Sequence, residues 1–148
     1  MKGKKYVERC LWEYYANLAE VESLSAELDD LMSVRGHSYE AHIPSGASEP
    51  VFNVVNRRLN IERRIAGIGR RIGPVKRLKS DFEAGLYRER YLRDIFNIRY
   101  MEHGSVDIRY MEHGIVDYVM KSLHISQPTY WRNKEKLIEL AKKYFAEE

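Results

Sequence analysis

The sequence has a single cysteine, Cys10, among 148 residues. It has no intramolecular partner for a disulfide and cannot by itself hold a metal. Such cysteine usage fits a reducing cytoplasm. Four prolines and nine glycines are too few for a strand-rich fold with frequent tight turns. No apolar run approaches the roughly 20 residues needed to span a bilayer, so no membrane partner is expected. Met1 to Lys5 is basic, but Glu8, Arg9 and Glu13 interrupt any apolar stretch behind it, and no secretion signal is read. No nucleophile, base and orienting group stand in a recognisable catalytic order, so no enzyme is expected. Gly67, Gly69 and Gly73 lack the preceding strand that a dinucleotide-binding loop requires. Their expected role is close helix packing or bending. No cofactor or metal is expected.

What the sequence does have is charge, 32% of residues, beside 44% hydrophobic residues. That balance suits a folded chain of one domain or two small ones. The net charge of +3 is unevenly spread. Residues 1–50 carry a net −4, residues 51–97 a net +7, and residues 98–148 a net zero. A basic middle third of this kind tends to meet nucleic acid or acidic protein surfaces.

Apolar periodicity predicts an all-α fold: long, coiled-coil-like N-terminal helices followed by a C-terminal helix-turn-helix domain. Val7, Leu11, Tyr14, Leu18, Val21, Leu28 and Met32 step by three and four, with Ser25 in the gap. They predict a helix over about 5–32 with one apolar seam. Gly36, Pro44, Ser45 and Gly46 mark residues 33–49 as a linker. Pro50 suits a first helical turn, with Ser48 or Glu49 near the cap. Ile61, Ile65, Ile68, Ile72 and Val75 continue the pattern over a second helix, about 50–72. Gly73-Pro74 should kink or end it. A short helix over 75–83 comes next, ending before Gly85, and another begins near Tyr87. Arg57, Arg64 and Arg71 flank the isoleucine seam, placed to pair with acids of the first helix such as Glu8, Glu22 and Asp29. Arg63, Arg70 and Arg77 lie on the far side as candidates for phosphate or polymerase contact. The domains read as 1–85, a helical hairpin, and 86–148, the helix-turn-helix domain.

Residues 98–107 read IRYMEHGSVD and residues 108–117 read IRYMEHGIVD, nine of ten identical in direct tandem. Ten residues is too short for a solenoid unit, and such identity points to a recent or engineered duplication. In continuous helix the extra copy adds about 15 Å and rotates the downstream chain by roughly −80°. A break is expected near Gly104 or Gly114, with Ser105 and Asp107 able to cap a new turn. His103 and His113 are equivalent positions of one duplicated unit, so their recurrence is no evidence for a metal site.

The C-terminal stretch VDYVMKSLHISQPTYWRNKEKLIELAKKYF carries the functional signal. Val116, Val119, Met120 and Leu123 form one helical face, and His124-Ile125-Ser126 a turn. Ser126 suits an N-cap and Pro128 the first turn. Tyr130, Leu137, Ile138, Ala141, Tyr144 and Phe145 form the buried side of the last helix. Thr129, Arg132, Asn133 and Lys136 share the opposite, polar side. Two helices joined by a tight turn, the second with a basic polar face, form a helix-turn-helix. In that reading Gln127, Thr129, Arg132 and Asn133 meet base edges, Lys136 anchors backbone, and Ser126 holds the turn and donates to a phosphate.

The order LHISQPTYWRNKEKLIELA resembles the C-terminal helix-turn-helix of the RinA/ArpU-type phage late-gene transcriptional activators, which resemble region four of bacterial sigma factors. The segments KYVERCLWEYYANLAEVESLSAELDDL and RRLNIERRIAGIGRRIGPVKRLKSDFEAGLYRERYLRDIFNIRY also look like this family. The resemblance implies an activator in the cytoplasm of a bacterial host. It implies binding to double-stranded promoter DNA and assistance to host RNA polymerase. The N-terminal helices would supply a homodimer or polymerase interface. His124 departs from the small or Gly residue usual in such turns, and Met120 from the usual Ala. Two alternatives stay open: a helical protein-interaction module, and a small phage DNA-packaging (terminase) subunit.

Overall fold

A computed structural model describes residues 3–41, 48–102 and 108–146, and the side chains outside 34–52 and 103–111. All regular structure among the described residues is helical: α1 (Lys4–Trp12), α2 (Tyr14–Ala41), α3 (Ser48–Glu83), α4 (Arg90–Ile95), a π-helical segment (Phe96–Glu102), α5 (Ile108–Leu123) and α6 (Gln127–Ala146). No helix among the described residues is long and apolar enough to cross a membrane. The chain divides into two compact units, Leu18–Gly69 and the pair of segments Met1–Asn17 and Arg70–Glu148.

The helix expected to begin near Tyr87 starts at Arg90, and the boundaries differ from the periodic reading in three further places. The first long helix is two, because Glu13 (φ −90°, ψ 8°) leaves helical geometry while its amide still bonds the Arg9 carbonyl. The side chains join the same two residues, Arg9 Nε lying 3.0 Å from Glu13 Oε1. α2 runs on to Ala41, beyond Ser33 where the linker was expected to begin. Gly36 costs a helix only about 1 kcal/mol, whereas the stronger breaker Pro44 falls outside the described residues. α3 passes through Pro74 without ending. A proline inside a helix costs about 3 kcal/mol, but the turns beyond it bury Val75, Leu78 and Phe82 completely or nearly so. That burial offsets the lost hydrogen bond. α3 then ends on Gly85 in the left-handed region (φ 74°). The Leu86 and Gly85 amides close back onto the Asp81 and Phe82 carbonyls at 3.0 and 3.1 Å. This is the paired closure for which glycine is favoured.

Unit Leu18–Gly69 is an antiparallel helix pair. Arg57 Nη2 lies 2.6 Å from Glu27 Oε1, and Arg64 Nε lies 2.7 Å from Glu20 Oε1. Seven residues forward on α3 match seven residues back on α2, so the two helices run in opposite directions. The expected pairing of this arginine stripe with Glu8, Glu22 and Asp29 is therefore corrected to Glu20 and Glu27. These exposed pairs set register more than stability, at roughly 0–1 kcal/mol each. A Cβ built on Gly67 or Gly69 meets nothing within 4 Å, which overturns the expectation that they permit close packing.

The other unit holds the dense core. Val7, Leu11, Val75, Leu78, Ile95, Phe96, Tyr100, Val119, Tyr130, Leu137 and Ala141 are all fully buried. The rings of Phe82 and Phe96 pack with centroids 5.1 Å apart. The duplicated unit contributes to this core in two halves. Arg99 and Tyr100 come from the first copy, and Ile115 and Val116 from the second; all four are buried. Gly114 lies within α5 rather than at a break, while Gly104, Ser105 and Asp107 fall outside the described residues. Deleting residues 102–111 rejoins a single complete IRYMEHGIVD unit and keeps Arg99, Tyr100, Ile115 and Val116, the four buried residues named above. The deletion should leave cooperative unfolding intact, with a thermal midpoint within about 5 °C of the parent by circular dichroism. Loss of the cooperative transition would show that the extra copy is itself structural.

Candidate nucleic-acid interface and the network behind it

The segment from α5 to α6 turns in three residues, His124 to Ser126. His124 adopts φ 55°, a left-handed conformation that glycine takes more easily and that His tolerates better than most residues. The Ile125 amide reaches back to the Met120 carbonyl at 3.1 Å and closes α5. Ser126 opens α6: its carbonyl accepts the Tyr130 amide at 3.0 Å, and its hydroxyl sits 3.4 Å from the Thr129 amide. The same hydroxyl shares a hydrogen bond with Thr129 Oγ1 at 3.0 Å. Pro128 falls in the first turn of α6, where no amide donor is needed.

α6 is two-sided. Tyr130, Leu137, Ile138, Ala141, Tyr144 and Phe145 are its buried side, as the pattern predicted. Gln127, Arg132 and Lys136 are exposed, and Thr129 and Asn133 are half-buried at the edge. The Asn133 amide donates to the Thr129 carbonyl at 2.8 Å, so its nitrogen serves the helix and its oxygen remains for a ligand. Among the described residues Gln127, Arg132 and Lys136 have no ion pair. Trp131 is 40% exposed, with the Lys134 ammonium 4.9 Å above its ring. Two acids share the exposed side. Lys4 of α1 reaches Glu135 at 2.8 Å and Glu139 at 3.1 Å. It holds Glu139 below its usual carboxylate range through that hydrogen bond. Lys4 thereby offsets negative charge that would otherwise repel a polyanion beside Arg132 and Lys136.

The arginines of α3 do not join this surface as a group. Arg63 belongs to the helix pair, whereas Arg70 and Arg77 belong to the dense unit. Arg77 donates to the Tyr144 carbonyl at 3.1 Å, near the far end of α6, which is about 12 Å along the axis from Lys136. Its neighbours Lys76, Ser80 and Asp81 line a shallow open cleft there with Tyr144. The Tyr144 hydroxyl bonds the Asp81 carboxylate and the Tyr87 hydroxyl at 2.5 Å.

Behind α6 lies a charged network that sequence reasoning missed. Arg99, 2% exposed, sits in the π-helical segment. Its Nη2 donates to both Glu112 oxygens at 2.9 and 3.0 Å and to Glu8 at 3.2 Å. Its Nη1 donates to the Tyr130 hydroxyl at 3.0 Å. The guanidinium carbon also lies 5.3 Å from the Trp12 ring. Glu8 accepts further bonds from the Tyr100 hydroxyl at 3.0 Å and from Lys134 at 2.9 Å. One cluster thus ties α1, the π-helical segment, α5 and α6 together. Burial pushes the Tyr130 hydroxyl up to about 12, so it stays protonated and neutral beside Arg99. The signal available in sequence was weak: Arg99 and Arg109 are equivalent repeat positions, and pattern alone does not choose between them.

Glu8 supplies a pH signature. Burial raises its pKa, but the Lys134 hydrogen bond and charge, the Arg99 charge and the Tyr100 hydroxyl outweigh burial and hold it below the usual carboxylate range. A carboxylate depressed in the folded state adds stability that is present above its unfolded pKa and lost as pH falls through the folded value. Glu8→Gln should therefore flatten the fall in unfolding free energy between about pH 5 and pH 3. Urea titrations across that range test this; a slope equal to the parent's would place the acid sensitivity elsewhere.

Comparison of the chain with known protein families, with characterised proteins and with solved structures finds no match.

Proposed function

We propose that the protein is a phage-type transcriptional activator that binds promoter DNA through α6 and assists host RNA polymerase. The observation that carries this reading is the two-sided last helix. A three-residue turn and the Ser126 cap open it, its apolar side is fixed in the core, and Gln127, Arg132 and Lys136 are exposed near its N-terminal end. The N-terminal part of the second helix is the part that meets base edges in helix-turn-helix proteins. Arg, Asn and Gln suit bases there, and Lys suits phosphate. Arg63 and Arg70, exposed on α3, are the proposed polymerase or phosphate contacts, with Arg77 the weaker member because of its bond to the Tyr144 carbonyl.

Selection of bound duplexes from a random-sequence pool tests the proposal. An enriched motif is the expected result. Retention without enrichment favours a DNA-packaging subunit, and no retention favours a protein-interaction module. The incompletely buried helix pair Leu18–Gly69 is the observation that keeps the interaction module in view as the second reading.

A further inference from the structure

The tandem repeat is a sequence feature that the α6 reading does not use. Residues 98–104 and 108–114 are identical, IRYMEHG in both copies. The first copy places Arg99 and Tyr100 in the core, 2% and 0% exposed. The walls that receive them come from outside the repeat. Trp12 meets the Tyr100 ring edge-on at 6.0 Å, and Glu8 accepts the Tyr100 hydroxyl at 3.0 Å. The Tyr130 hydroxyl accepts Arg99 at 3.0 Å. The same walls offer the same contacts to Arg109 and Tyr110. Glu112, the other partner of Arg99, stands three residues beyond Arg109. Side chains at that spacing meet on one helical turn, so Arg109 would bring this acid with it.

The backbone allows the exchange. The first copy lies in the π-helical segment Phe96–Glu102, a rare geometry met mostly as single-turn bulges, so it gains no regular α-helical ladder from its place. The second copy opens α5, and there Glu112 is half-buried while His113 and Gly114 are exposed. Unwinding α5 as far as Gly114 therefore uncovers no described core side chain. Two side chains and one hydrogen bond separate the Arg99 and Glu112 backbones, at most about 15 Å, and Ile115 is about 5 Å further along α5. Six extended residues, Arg109 to Ile115, span about 20 Å. We propose that the two copies compete for one core site. In a second register Arg109 and Tyr110 take the places of Arg99 and Tyr100, and residues 98–107 loop out. Ile115 to Phe145, and with them α6, keep their places. Looping out ten residues adds little closure entropy. The second register gives up the first two turns of α5, which is why the first copy holds the site.

Urea unfolding of the full chain, followed by circular dichroism, tests the exchange through its dependence on background. Tyr100→Ala should keep a cooperative transition at a lowered midpoint, because Tyr110 moves in. Tyr110→Ala and Arg109→Met should each leave the parental midpoint within about 0.2 M. Made in the Tyr100→Ala chain, the same two substitutions should each lower the midpoint by at least about 0.5 M more, the non-additivity expected of residues that share one site. Two positions are used because a direct contact with residue 100 would couple one of them but not both. An effect at either position that is no larger in the Tyr100→Ala chain than in the parent would overturn the exchange. So would a Tyr100→Ala chain with no cooperative transition. Because no DNA is present, none of these outcomes bears on the α6 reading.

Discussion

Arg99→Met should cost the protein about 3 kcal/mol of unfolding free energy, the low end of the range for breaking a buried ion pair. The Arg99 side chain is 3% exposed, and its partners Glu8 and Glu112 are 32% and 29% exposed. The substitution removes the one cation that touches Glu8, Glu112 and the Tyr130 hydroxyl together. Glu8 keeps Lys134, and water reaches both carboxylates, which moderates the loss. Against a typical total of about 5–15 kcal/mol the change is still large. Urea unfolding followed by circular dichroism measures it. Arg99→Lys should fall between parent and Met, since an ammonium keeps the charge but not the planar fork that reaches Tyr130 and Glu112 at once. A loss below about 1 kcal/mol would mean that the network behaves as a solvated surface pair.

Long-range pairing is where the sequence was least informative. The apolar side of α6, the cap at Ser126 and the turn at His124 all follow from local rules of period and capping, and they read directly. Arg99 does not, because its partners Glu8 and Glu112 lie 91 and 13 residues away, and nothing in an alternation pattern ties such positions together. The same limit misassigned Glu8. As an acid on the first helix it was a natural partner for the arginine stripe, yet it belongs to Arg99 and Lys134. The break at Glu13 was hidden because a single residue leaving helical geometry does not disturb the steps of three and four. Gly73-Pro74 was expected to kink or end the helix, and α3 runs on through it because burial beyond the proline, which local propensity ignores, favours continuation. The opposite outcomes at Met32 and Val7 within one apolar series have a similar cause. Period says which positions share a face, but only packing decides which of them are covered.

Replacing Arg132 and Lys136 together by alanine should lower affinity for duplex DNA on the order of a hundredfold, one base-directed and one phosphate-directed contact being lost. Both side chains are exposed, so the urea midpoint should stay at the parental value. Lys143→Ala is the control. Lys143 is exposed on the same side of α6 but about 10 Å further along the axis than Lys136, and its loss should change affinity little. Fluorescence anisotropy with a labelled duplex separates the three proteins. Equal losses for Lys143→Ala and the double variant would reduce α6 to a general basic surface with no reading end.

The most direct test of DNA binding by α6 is the salt dependence of duplex affinity, measured for the parent and for the Arg132→Ala, Lys136→Ala chain. Each neutralised phosphate adds about 0.9 to the slope of log affinity against log salt. The parent should bind at about 50 mM salt and weaken steeply towards 200 mM, with the double variant weaker throughout and its slope shallower by up to about 2. Identical affinity and slope for the two proteins, or no binding at the lowest salt, would contradict DNA recognition by α6.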